Sequence, residues 1–159
     1  MDWKNLFLTP SGRIGQKDFW IGILIIFAAG LVLGWIANMI NPILGLVVSL
    51  ALLYPGYCVM AKRFQDFGKN GVIAATPYVI SAIVSVMAFV STAGLIGAAA
   101  VGSDAAAMGA AGGLLGTGLL ALIGFFVWVA FLLWAGLTKG DPAPNQYGPS
   151  PTPAATDMV

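Results

Sequence analysis

Hydrophobic positions along this chain gather into four long runs, and polar positions are confined to the breaks between them. The first run covers about Phe19 to Asn38 and the second about Ile43 to Ala61. A third covers Val72 to about Ile96, and a fourth about Leu114 to Leu137. Each is near the roughly 20 residues that carry an apolar helix across a bilayer. The pattern predicts an all-α, polytopic membrane protein with four transmembrane helices. Between Val72 and Leu137 the ionisable side chains are Tyr78 and Asp104. Reading that stretch as one span would push Asp104 toward hydrocarbon, so a turn is expected there, with Ser103 or Asp104 capping the next helix. The Gly/Ala-rich segment around Asp104 is either a loop or a continuation of both helices beyond the bilayer.

The segments outside the runs complete the organisation: 1–18 leads in, 19–137 holds the four spans, and 138–159 is a proline-rich tail. In the lead, Trp3, Leu6 and Phe7 fall on one helical face, as in a short interfacial helix; a loosely ordered terminus is the alternative. Pro10 and Gly12 end that segment. The first run is too long for the core of a cleaved signal, so it is expected to stay as an anchor. Trp20 and Trp35 sit near its two ends, where interfacial aromatics belong. Pro55 and Gly56, between Tyr54 and Tyr57, predict a kink in the second span. The tail should be extended or disordered, at least beyond Pro149.

Composition agrees with a bilayer as solvent. Charged residues are 8% of the chain and hydrophobic ones 59%, whereas soluble domains carry roughly 25% charge. Four charges, Lys62, Arg63, Asp66 and Lys69, crowd into "AKRFQDFGKNG" between the second and third runs. At mid-bilayer each would cost about 2.5 to 3.5 kcal/mol, so the stretch must leave the membrane. The seven basic residues occupy three places: Lys4, Arg13 and Lys17 before the first span, Lys62, Arg63 and Lys69 after the second, and Lys139 after the fourth. With four spans these lie on one side, which the positive-inside rule makes cytoplasmic. Both termini are therefore expected in the cytoplasm of a cell whose inner membrane holds the protein.

Three segments then converge on that face: "SGRIGQKDFW", "KRFQDFGKNG" and "GDPAPNQYGPSP". Gly12, Arg13, Phe19 and Trp20 fit a G-R-I/L-x-R-x-x-[FY]-W element. Arg63, Asp66, Gly68 and Gly71 fit R-x-x-D-x-G-x-x-G. Gly140, Asn145, Tyr147, Gly148 and Pro151 fit most of a closing G-x-x-G-x-N-x-Y-G-x-x-P. Together they resemble the YhaH-like family of small bacterial inner-membrane proteins (domain of unknown function 805). Members often carry His where this chain has Gln65, and Trp where it has Val72. The resemblance implies the topology and no known chemistry.

Read by themselves, Arg63 and Asp66 stand three apart and can pair over one helical turn. Gly68 and Gly71 allow a sharp turn between helices. The segment is then either a solvated, self-paired hairpin or a headgroup- or partner-binding patch. The candidates for such contact are Arg13, Lys17, Lys62, Arg63, Asp66, Lys69, Asn145 and Tyr147, the last two by folding the tail back. Small-residue spacing marks Gly30 and Gly34, and Gly109, Gly112, Gly113 and Gly116, as candidates for helix packing.

Without histidine and with Cys58 as the one cysteine, a Ser-His-Asp triad and the usual zinc or haem ligand sets cannot be assembled. No catalytic residue, metal or cofactor is expected, nor a nucleic-acid partner. The leading expectation is an accessory or scaffold protein that packs against other membrane proteins or itself, its basic face on anionic lipid or a partner. A transporter or channel component comes second. A lipid-headgroup enzyme using Asp66 comes third.

Overall fold

The computed structural model describes residues 2–151. Within them the chain is helical throughout its regular structure: α1 (Trp3–Leu8), α2 (Gln16–Ile40), α3 (Pro42–Asp66), a 3₁₀ turn (Gly71–Ala74), α4 (Ala75–Val101) and α5 (Asp104–Leu137). The four long helices are each apolar and long enough to cross a membrane.

Local signals set their limits. Asp2 caps α1 by accepting the Asn5 N–H at 3.2 Å. Asn41 Oδ1 accepts the Ile43 N–H at 2.7 Å, and Pro42 fills the first turn of α3, where its missing N–H costs nothing. Helix α4 ends on Gly102 in the left-handed region, φ +64°, and Ser103 caps α5 through the Ala106 N–H. That two-residue turn answers the question posed by the Gly/Ala-rich segment. Both helices run through it, so the third and fourth apolar elements exceed the spans expected from hydropathy alone. Pro55 lies inside α3, and the helix continues past it.

The helices pair as two antiparallel hairpins, α2 with α3 and α4 with α5. Their register is visible where glycines admit a neighbour. A β-carbon on Gly22 would lie 3.1 Å from Val59, and one on Gly45 2.3 Å from Asn38. In the second hairpin, Gly124 faces Ile80, Gly113 faces Ser91 and Gly94 faces Ala110. Of the predicted packing glycines, Gly113 makes a close approach and Gly30 an ordinary contact with Leu52, while Gly34, Gly109, Gly112 and Gly116 face open space. Tight packing falls instead on Gly22, Gly45, Gly56, Gly124 and Gly136, because it follows helix crossings that spacing within one helix does not encode.

Between hairpins, α3 meets α4 where Tyr78 lies against Gly56, and α5 meets α3 through Phe64, Phe131 and Trp134. At the opposite end Pro42 shares a cleft wall with Thr92. Ala93 and Ile96 line that cleft too, beside Asn41 and Ile43 of the α2–α3 turn.

The hydrophobic core sits at one end. Every residue from Cys58 to Asp66 is buried, wrapped by α1, the 9–15 loop, the 3₁₀ turn and the tail. Leu6, Ile14, Phe19, Val59, Met60, Phe64 and Ala135 meet there. Elsewhere the long helices expose large apolar side chains such as Phe27, Trp35, Leu119 and Phe126. An apolar surface facing outward around an enclosed polar end is what a lipid solvent permits.

Candidate functional site

The enclosed end holds the polar residues singled out from the sequence, in a different state from that expected. Arg63 is on the last turn of α3, one helical step before Asp66, and its Nη1 donates to Asp66 Oδ2. The local pair forms, but as part of a buried cluster and not on a solvated hairpin. Arg13, from the loop before α2, donates through Nε to the other carboxylate oxygen, Oδ1, at 3.0 Å. The side chains are 1% exposed for each arginine and 3% for the aspartate. One carboxylate is thus gripped by two guanidinium groups, leaving a positive excess to be balanced.

Backbone carbonyls supply that balance. Arg13 has five N–H groups and finds five acceptors: Asp66 Oδ1, then the carbonyls of Ala143 (2.9 Å), Gly148 (3.1 Å), Asp66 (3.2 Å) and Asp141 (2.5 Å). Arg63 Nε donates to the carbonyl of Ala135 at 2.8 Å, and Nη2 to that of Thr138. Those carbonyls close α5, whose C-terminal dipole favours a cation. Phe67 lies under the Arg63 guanidinium, 5.9 Å from ring centroid to Cζ. The planar fork of arginine suits so many fixed acceptors; a lysine ammonium would not reach them.

Neighbouring residues complete the joint. Gln65 reads the N-terminal loop in both directions, accepting the Gly12 N–H at 2.9 Å and donating to Pro10 O at 3.0 Å. Asn145 Nδ2 donates to Gln65 O at 3.0 Å and to Asp141 Oδ2 at 3.1 Å. Its Oδ1 accepts the Tyr147 N–H at 2.9 Å, so the tail turns back on itself between Asn145 and Gly148. The tail is ordered here by folding onto α3; its last eight residues lie outside the described residues. Gly140 passes so near that a β-carbon would stand 2.0 Å from Asp66 Oδ2. Lys62, one turn back, donates to Asn5 O, to Asn5 Oδ1 at 2.5 Å and to Thr9 Oγ1 at 3.3 Å, which holds α1 against α3.

Of the sequence candidates, Arg13, Arg63, Asp66 and Asn145 therefore meet in one network, with Tyr147 joined through its backbone. Lys62 is buried beside it and bonded to α1. The polar atoms of Arg13, Lys62, Arg63 and Asp66 are bonded to partners within the chain. Lys17 and Lys69 are exposed and stand outside the network. Gln65, Asp141 and Gly140 were not among the site candidates; Gln65 drew notice only as a departure from a family pattern, although it binds two segments. A cavity of about 260 Å³ opens beside Lys62, lined by Asp2, Asn5, Ser11, Arg13 and Asp18 among others. Among the described residues no three carboxylates, thiols or imidazoles converge as a metal ion would require.

Three of the hydroxyls along α4 bond back to their own helix. Ser81 donates to Pro77 O, Ser85 to Ser81 O and Thr92 to Ala88 O, each at 2.8 Å. Ser85 and Thr92 also line a cleft of about 280 Å³ with Asn38 and Ser49 between the hairpins.

Comparison with known proteins places this arrangement. The family described as "Protein of unknown function (DUF805)" matches residues 7–149, a stretch that contains both arginines, Asp66 and the folded tail. Curated relatives include the "Uncharacterized protein YiiR" of Escherichia coli strain K12 and its counterpart in Escherichia coli O157:H7. Each is 40% identical over 73 residues, which is 45% of this chain. The chain spans about half the length of these relatives. No solved structure matches it.

Proposed function

The chain belongs to the DUF805 family of proteins of unknown function, and from that premise we propose a non-catalytic role. It is a small accessory or scaffold protein of the bacterial inner membrane that packs against other membrane proteins or a second copy of itself. Its basic end faces the cytoplasm. The observation that carries this reading is the occupancy of the buried polar cluster. Both oxygens of Asp66 and all five N–H groups of Arg13 are held by partners within the chain. A general base or a substrate clamp needs a group that can be given up to the reactant; a structural joint does not. The network fixes a rigid end plate, and the apolar helices beyond it present packing surface. On α5, Gly109, Gly112 and Gly116 share one side and meet no neighbour, which lets another helix approach closely.

Mild-detergent extraction followed by cross-linking and mass measurement tests the role. A discrete oligomer or a defined hetero-complex is expected, weakened by Gly112→Leu without loss of helicity. A strictly monomeric, partner-free protein in native membranes would count against it. The cleft lined by Asn38, Ser49, Ser85 and Thr92 favours one alternative, a transporter or channel component. Solute flux through liposomes holding the purified protein separates the two, since a scaffold alone carries none.

A further inference from the structure

The seven basic residues divide by burial. Arg13, Lys62 and Arg63 are enclosed, and their donors go to acceptors within the chain. Lys4, Lys17, Lys69 and Lys139 are exposed. Among the described residues no carboxylate lies within 4.0 Å of any of these four. They come from four separate segments: α1, the first turn of α2, the turn after α3 and the exit of α5. All four segments lie at the enclosed end. Trp3, Leu8 and Val72, also at that end, are exposed apolar side chains. Among the described residues that end carries all seven cations against four carboxylates, Asp2, Asp18, Asp66 and Asp141, whereas Asp104 lies at the far turn.

Unpaired ammonium groups beside an aromatic and aliphatic fringe match the zone where lipid phosphates sit. A lysine stem lies along apolar surface while its head reaches outward. An acidic protein would more simply be met by one face of one element, whereas this rim is distributed over four segments that leave or enter the spans.

We propose that Lys4, Lys17, Lys69 and Lys139 form a rim that binds anionic lipid headgroups, and that the buried arginines take no part. This rests on the proposed membrane placement but not on self-association. Each lysine near an anionic surface strengthens the contact about fivefold.

The test is native mass spectrometry of the full chain in detergent, titrated with phosphatidylglycerol or phosphatidylcholine, with oligomeric state read from the same spectra. The wild-type chain is expected to prefer phosphatidylglycerol by roughly tenfold or more at low salt, a preference that added salt erodes. The K4Q/K17Q/K69Q/K139Q variant is expected to bind the two lipids about equally, with its oligomeric state unchanged. Arg13→Lys is expected to keep the preference in its folded fraction. If the fourfold variant does not fold, K4Q/K17Q and K69Q/K139Q are each expected to lose about half the preference on a logarithmic scale. The proposal is overturned if the wild type shows no preference or if the lysine variants retain it in full. Equal binding of both lipids with salt-sensitive binding of polyglutamate would overturn it in favour of an acidic protein partner.

Discussion

Gly140 and Gly118 differ in what stands beside them, and that difference can be measured. A methyl group at Gly140 would collide with the Asp66 carboxylate, which two arginines hold on both oxygens. At Gly118, in the interior of α5, a methyl group meets nothing within 4 Å. Gly140→Ala is therefore expected to lower the unfolding temperature in detergent. Gly118→Ala should leave it unchanged or raise it, since alanine is favoured over glycine in a helix by up to about 1 kcal/mol. Arg13→Lys keeps the charge and removes the fork. The carbonyls of Ala143, Gly148 and Asp141 cannot all be met by one ammonium, and each polar group left buried and unmet costs about 1 to 3 kcal/mol. A clear loss of stability in chemical unfolding is expected, and stability equal to wild type would show that charge alone suffices. The Arg63–Asp66 pair was legible because it is local, three residues along one helix. Arg13 and Asn145 were legible only as candidates, since their partners lie far along the chain.

At the scale of elements, the tail works as a strap across the end of α3. It contributes three of the five acceptors of Arg13, and its Asp141 N–H also donates to Asp66 O at 2.9 Å. Truncation after Lys139 leaves Arg13 with Asp66 alone. The 9–15 loop should then open, read as faster proteolysis at that loop and faster hydrogen exchange at the Gly12 N–H. Wild-type protection in the truncated chain would show that Gln65 suffices to hold the loop. Helix α1 is the element whose existence the sequence left open. Its order comes from tertiary bonds, Lys62 to Asn5 and Tyr54 Oη to Leu8 O at 3.0 Å, because a six-residue helix is too short to persist by itself. Likewise, hydropathy underestimates α4 and α5. Alanine and glycine carry little hydropathic signal, yet the helices continue through them, since each hairpin arm packs on the other.

The whole molecule is a pair of hairpins joined at one polar end. Arg13, Arg63, Asp66 and the tail share that end, so the described ends of the chain lie at the same end of the four long helices. With Cys58 replaced by alanine, an impermeant maleimide applied to intact cells is expected to label a cysteine placed at Asp104. The same reagent should reach one placed at Lys69 only after the membrane is opened. Labelling of both from outside, or of Lys69→Cys alone, would reverse or abolish the proposed orientation.

The order of polar and apolar residues determined by itself that four helices exist and that basic residues gather at one end. Transfer free energy acts on each segment separately, so it can be read along the chain. What only the tertiary structure decided is the state of the charges. Arg13, Lys62, Arg63 and Asp66 were open to water, headgroups or protein until three distant segments supplied their acceptors. Hydrogen bonding depends on positions in space, and five fixed carbonyl and carboxylate oxygens around one guanidinium leave no trace in local pattern.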